Sequence, residues 1–235
     1  MRLSEVPLMG RLIAAAVAFL CFGGQPLAPW TRITEEPHFQ PPEVVSISNV
    51  TIPYHSVASG TVVLDVVISE KGEVRNVQVR RDIKSETEEA VRSVKTWKFE
   101  PAMLNEKAFT SRVTVAVTFN PVPPLSENVP LPPLIHQDDE ARIQSRFQPP
   151  QVTYATFPVY PLNALMAGTV ILEVSINETG KGRNPKVLQD APPFTATATR
   201  AIDDWRFMPA TLDGRPVESY VVLVFCFPQP VTPIP

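Results

Sequence analysis

The sequence predicts an α+β protein made of two tandem two-layer domains. Each is a three-stranded antiparallel sheet in the order strand, strand, helix, strand, with the helix covering one face. Three observations carry this reading. Trp97-Lys98-Phe99-Glu100-Pro101-Ala102 returns as Trp205-Arg206-Phe207-Met208-Pro209-Ala210, 108 residues later. Around each copy, segments rich in valine alternate core-facing and opposite-facing residues with a period of two. A short amphipathic stretch with helical spacing precedes each tryptophan.

The offset does not drift. Gly60 matches Gly168, Gly72 matches Gly180, Leu104 matches Leu212 and Phe119 matches Phe227. Upstream, Phe39-Gln40-Pro41-Pro42 matches Phe147-Gln148-Pro149-Pro150. About 29 of about 83 aligned positions are identical without a gap, so the chain contains a tandem duplication. Solenoid units run about 20–50 residues, so a period this long marks a duplicated domain. The 235 residues divide into 1–24, a signal peptide or short N-terminal anchor; 25–49, an extended proline-containing segment; 50–120, the first domain; 121–150, a proline-rich linker; and 151–229, the second domain. Domains this small carry thin cores and gain from docking on each other.

In the first copy, Val62, Leu64, Val66 and Ile68 mark the apolar face of a strand. Glu70-Lys71-Gly72 turns the chain, and Val74, Val77 and Val79 give a second strand. Ser85 or Thr87 caps a helix on which Ala90, Val94 and Trp97 share one face, and Pro101 prevents the helix from continuing. Val113, Val115, Val117 and Phe119 form the third strand. Residues 120–150 hold many of the 27 prolines and read as a semi-rigid spacer, with a short helix allowed around 138–146. In the second copy, Tyr160 to Met166 reads as a short helix entered through Pro161. Val170, Leu172, Val174 and Ile176 repeat the first strand. Pro185 places the second strand at a sheet edge, where a missing N–H is tolerated. Thr195 or Thr197 starts the helix towards Ile202 and Trp205, and Val221, Leu223, Phe225 and Phe227 face the core. The other side of that last strand, Val222, Val224 and Cys226, is apolar too, where the first copy has Thr114, Ala116 and Thr118. A strand apolar on both sides is covered on both sides, so this face is predicted to pack on the other domain, the linker or a partner.

At the N-terminus, Arg2 and Arg11 precede an apolar run from Leu12 to Gly23 of about 12 residues. A spanning helix wants about 20, so the run reads as a secretory signal or, uncleaved, as an anchor. Both export the rest of the chain. The net charge of −3 and the lack of a dense basic stripe exclude a nucleic-acid partner. His38, His55 and His136 are scattered without metal-ligand spacing. No Gly-x-Ser-x-Gly, phosphate loop or Cys/His dyad occurs. Cys226 reads as a small apolar filler. No enzyme, cofactor, metal or small-molecule substrate is expected.

In order and spacing these features resemble the C-terminal domain of TonB-type energy transducers. The second copy carries the whole pattern: Tyr160-Pro161 with Ala164, Gly168-Thr169-Val170, Gly180, Trp205 to Ala210, and Gly214-Arg215-Pro216-Val217. The first keeps Pro53, Gly60-Thr61-Val62, Gly72 and Trp97 to Ala102, but has Ile52 for the tyrosine, Ser56 for the alanine and Glu106 to Phe109 for the last turn. The resemblance implies a non-enzymatic periplasmic module. It would grip extended segments of outer-membrane TonB-dependent transporters beside its last strand, through main-chain hydrogen bonds to an exposed edge. Carried onto this sequence, the partner-binding candidates are Arg112, Thr114, Ala116 and Thr118 in the first copy and Tyr220, Val222, Val224 and Cys226 in the second. The alternative is a structural or scaffolding envelope protein that uses the fold without energy transduction, its edges closed in a domain–domain pseudo-dimer.

Overall fold

The long strands follow the valine-rich alternations. In the first repeat they are β1 (Gly60–Ile68), β2 (Val74–Arg81) and β3 (Ser111–Phe119), with helix α1 (Thr87–Val94) between the last two. In the second they are β4 (Gly168–Ile176), β5 (Gly182–Gln189) and β6 (Ser219–Phe227), with helix α2 (Phe194–Ala201) before β6. The structure is a computed structural model and describes residues 37–48, 50, 59–121, 145–161, 164 and 166–229. The proposed signal or anchor, most of the linker, and the expected helix around 138–146 except its last two residues lie outside the described residues. The described residues are mostly sheet with two α-helices, an α+β fold with one large sheet and several small ones.

Two separate three-stranded sheets were expected. Instead the two sets join into one six-stranded sheet in the order β2-β1-β3-β6-β4-β5. Within each repeat the pairs are antiparallel, while β3 and β6 pair in parallel, Thr114 opposite Val221 through Phe119 opposite Cys226. The join follows from the double-sided β6. Val222 lies opposite Val115 and faces the α1 side; Leu223 lies opposite Ala116 and faces the α2 side. Equivalent strands that pair in parallel are related by a twofold axis lying in the sheet along the strands. The two helices therefore cover opposite faces of one sheet.

The cores show the same exchange. Val62, Leu64, Val66, Val94 and Trp97 form one cluster that takes in Ile171, Val222, Val224 and Cys226 from the second repeat. Leu172, Val174, Ala198, Trp205 and Phe225 form the other, which takes in Ala116 from the first. The packing expected of Val222, Val224 and Cys226 is thus met by the other repeat.

Each quadrant of sheet left bare by a helix is covered by a strap from the opposite repeat. Residues 43–46 pair with 98–100 on the edge of their own repeat, yet the Val44 N–H donates to Glu173 Oε1 of β4 at 2.8 Å. Residues 151–154 pair with 206–208, and Thr114 Oγ1 of β3 donates to the Pro150 carbonyl at 2.6 Å. Phe39 and Phe147, equivalent residues, meet with ring centroids 5.1 Å apart. The tryptophans hold the straps in place. Trp97 Nε1 donates to the Ser48 carbonyl and Trp205 Nε1 to the Thr156 carbonyl, both at 3.1 Å.

Several local expectations are corrected. The helices stop before their tryptophans: α1 ends at Val94, and α2 passes into a 3-10 turn over Ile202–Asp204. The Trp motif then runs as a short strand, because Phe99 N–H donates to the Gly72 carbonyl and Phe207 N–H to that of Gly180. Both glycines have φ of +78°, and a Cβ there would lie within 2 Å of the Phe99 or Phe207 carbonyl oxygen, so neither turn admits another residue. The turn read at Gly214 is the tip of a hairpin, Ala210–Leu212 with Arg215–Val217. Of the helix expected over Tyr160 to Met166, residues 162, 163 and 165 lie outside the described residues; the Ala164 N–H donates to the Pro161 carbonyl. Pro185 does sit on an edge strand, β5.

Candidate partner-binding surface

The eight residues named from the sequence all lie on β3 and β6, the two central strands. Arg112 Nη1 donates to Gln78 Oε1 at 3.1 Å, and Thr118 shares a buried hydroxyl contact with Thr61 at 2.9 Å. Thr114, Ala116, Thr118, Val222, Val224 and Cys226 are buried, Arg112 nearly so, and Tyr220 is half-buried. Their backbones are not a free edge. The β3–β6 ladder occupies them, and Asn120 closes its end by donating both its N–H and its Nδ2 to the Cys226 carbonyl. Burial pushes the Cys226 thiol up to about 12, so it stays a neutral apolar filler.

The ends of the sheet are what the described residues leave unpaired. They are β2 and β5. The sequence held the signal for β5 in Pro185. It held none for β2, because periodicity shows that a segment is a strand and not who its neighbours are.

A groove of about 520 Å³ is lined by Gln40, Pro41, Glu43, Glu100, Pro101, Met103 and Tyr220. Glu43 of its lining belongs to a charged cluster. Lys186 Nζ lies 2.6 Å from Glu43 Oε1 and 3.3 Å from Glu173 Oε2. Glu173 is only 2 % exposed, and desolvation holds its carboxyl above the usual range even though the Val44 amide and Lys186 pull the other way. Lys186 is half in solvent, and its bond to Glu43 pushes its ammonium up. The carboxylates Glu43, Glu173 and Glu218 add to burial in raising the Tyr220 phenol. The positions equivalent to Glu43, Glu100 and Tyr220 at the 108-residue offset are Gln151, Met208 and Arg112, so the acidic lining is not repeated at the related place.

The raised Glu173 carboxyl has a consequence for stability. A folded pKa above the unfolded value means that the folded chain binds the proton more tightly, so its contribution is present at low pH and lost as pH rises through the folded pKa. Glu173→Gln is expected to match the parent near pH 4 and to gain melting temperature relative to it as pH is raised to 8. Thermal melts at the two pH values check this; a variant that loses relative stability on going to pH 8 contradicts it.

No group of three or more metal-ligating side chains occurs among the described residues. His38 is exposed and contacts only Gln40 Nε2 among the hydrogen bonds formed there by its ring, at 3.2 Å; His55 and His136 lie outside the described residues. No helix of the described residues is long and apolar enough to cross a membrane. A model of the Gram-negative bacterial TonB protein C-terminal family matches residues 55–121 and again 155–227. The chain belongs to the TonB C-terminal family. It carries two tandem copies of the domain, and the two matches fall on the two halves of the six-stranded sheet. The family is non-enzymatic and envelope-associated, and its domains interact with outer-membrane transporters. No curated protein matches the chain. In TonB C-terminal terms, the last strands of both copies are here turned on each other.

Proposed function

We propose that this protein is a non-enzymatic binding module of the bacterial envelope that holds extended segments of outer-membrane TonB-dependent transporters by strand addition. The observation that carries the reading is the β3–β6 ladder. Two family domains already hold each other through main-chain bonds along a strand, which is the mode an extended partner would use. A transporter segment that pairs with Arg112–Thr118 or Tyr220–Cys226 has to take the place of the opposite repeat's strand. The protein is periplasmic in this reading, exported by its N-terminal signal or held by it at the inner membrane; cell fractionation and sequencing of the mature N-terminus separate the two.

Titrating the isotopically labelled full chain with transporter-derived peptides tests the function. Saturable amide shifts along a sheet strand are expected. A folded chain whose amides ignore every such peptide overturns the reading.

The same ladder favours a second reading. With both last strands committed to each other, the chain would serve as a structural or scaffolding protein without energy transduction. It would then bind none of the peptides and would contact its partners through side chains on the straps and helices.

A further inference from the structure

The sealed centre leaves the two outer strands as the sheet's termini, and they differ. β5 contains Pro185, which has no N–H to offer, and its Lys186 is drawn inward to Glu43 and Glu173. β2 runs for eight residues, Val74–Arg81, without proline and among the described residues its ladder is with β1 alone. In an antiparallel edge strand alternate residues turn both N–H and C=O away from the neighbour, and such a row is a template for one more strand.

The side chains of β2 select what that strand would be. Arg75, Arg80 and Arg81 lie on it and no carboxylate does. Arg80 already holds a carboxylate, its Nε donating to Asp65 Oδ2 at 2.9 Å. Arg75 is exposed, and Val79, 44 % exposed, offers an apolar foothold. Two copies of this chain meeting edge to edge would set arginine-bearing strands without carboxylates against each other, and like charges opposed across strands destabilise a pair. An acidic strand meets no such penalty.

We propose that the outer edge of β2, Val74–Arg81, takes up an extended acidic segment of a partner protein by strand addition. The inference rests on the reading that the chain holds extended segments. It moves the place of binding from the last strands, which the duplication has closed, to the far end of the first repeat. Main-chain bonds to alternate residues of β2 supply the register. Carboxylates near Arg75 supply selectivity, in a salt-dependent way.

The test uses the labelled full chain and two short peptides: one alternating aspartate with valine and threonine, the other with lysine in place of each aspartate. The acidic peptide is expected to shift amides of residues 74–81 and to leave those of 182–189 and 219–227 in place. Arg75→Glu is expected to weaken it by about tenfold with the unfolding midpoint unchanged, and Arg75→Gln by less. Equal binding of the lysine peptide overturns the proposal, as does an Arg75→Glu chain that binds as the parent does. Shifts along Ser111–Phe119 or Ser219–Phe227 overturn it while leaving the binding of extended segments standing. Silence towards both of these peptides and the transporter-derived ones overturns the two together. Concentration-dependent shifts at 74–81 without peptide would name a second copy as the occupant and also overturn it.

Discussion

Replacing Val224 with aspartate is expected to remove about 5 kcal/mol of unfolding free energy, a third or more of the total in a chain whose stability is of the order of 5–15 kcal/mol. Val224 is fully buried on β6, opposite Ile171 of β4 and Val117 of β3, in the core cluster that also contains the first repeat's α1. A carboxylate there has no cation described in its cluster and loses its water. It must stay charged at a cost of several kcal/mol or take a proton at neutral pH. Its neighbours come from both repeats, so the damage is expected in both halves. Urea unfolding followed by tryptophan fluorescence should show a single transition in the parent and, in the variant, one at far lower urea or already complete in water. An unfolding midpoint unchanged by Val224→Asp would mean that the repeats are not packed through this face.

Trp205→Ala is expected to cost about 3–5 kcal/mol. The indole is completely buried, meets Phe225 edge-on at 5.6 Å and donates to the Thr156 carbonyl at 3.1 Å. Truncation leaves a void and also orphans a buried carbonyl. Trp205→Phe refills part of the void and restores no donor, so it should cost about 1–3 kcal/mol. Trp97→Ala should fall at the lower end of the alanine range, because its bond to the Ser48 carbonyl is only partly buried. Urea midpoints of the three variants give the order. The same change should loosen the strap 145–157, read as faster amide exchange there, since Trp205 is what ties that strap to its own domain. Its counterpart residues 43–48 should be loosened by Trp97→Ala.

These variants bear on what each repeat needs. The conserved spacing from Trp to Pro-Ala within both copies is architectural: Phe99 and Phe207 close on glycine turns, and Ala102 and Ala210 begin hairpins. The acidic groove beside Tyr220 arises where the two copies differ, at Glu43 against Gln151 and Glu100 against Met208, whereas Arg75 of β2 has its counterpart in Arg183 of β5 and the two edges differ at Val77 against Pro185.

The sequence by itself determined the duplication, the long strands and helices of each repeat, the family, and the fact that β6 is covered on both faces. Those are local or self-comparing signals: an offset, a period of two, a proline that excludes a central strand. Only the tertiary structure decided that β3 and β6 lie side by side. Once they do, the two helices fall on opposite faces, each repeat's strap crosses to the other, and the strands that looked like edges become the centre. Strand neighbours are set by main-chain groups that every residue carries alike. Their pairing leaves no mark in side-chain order until the fold has brought the two strands together.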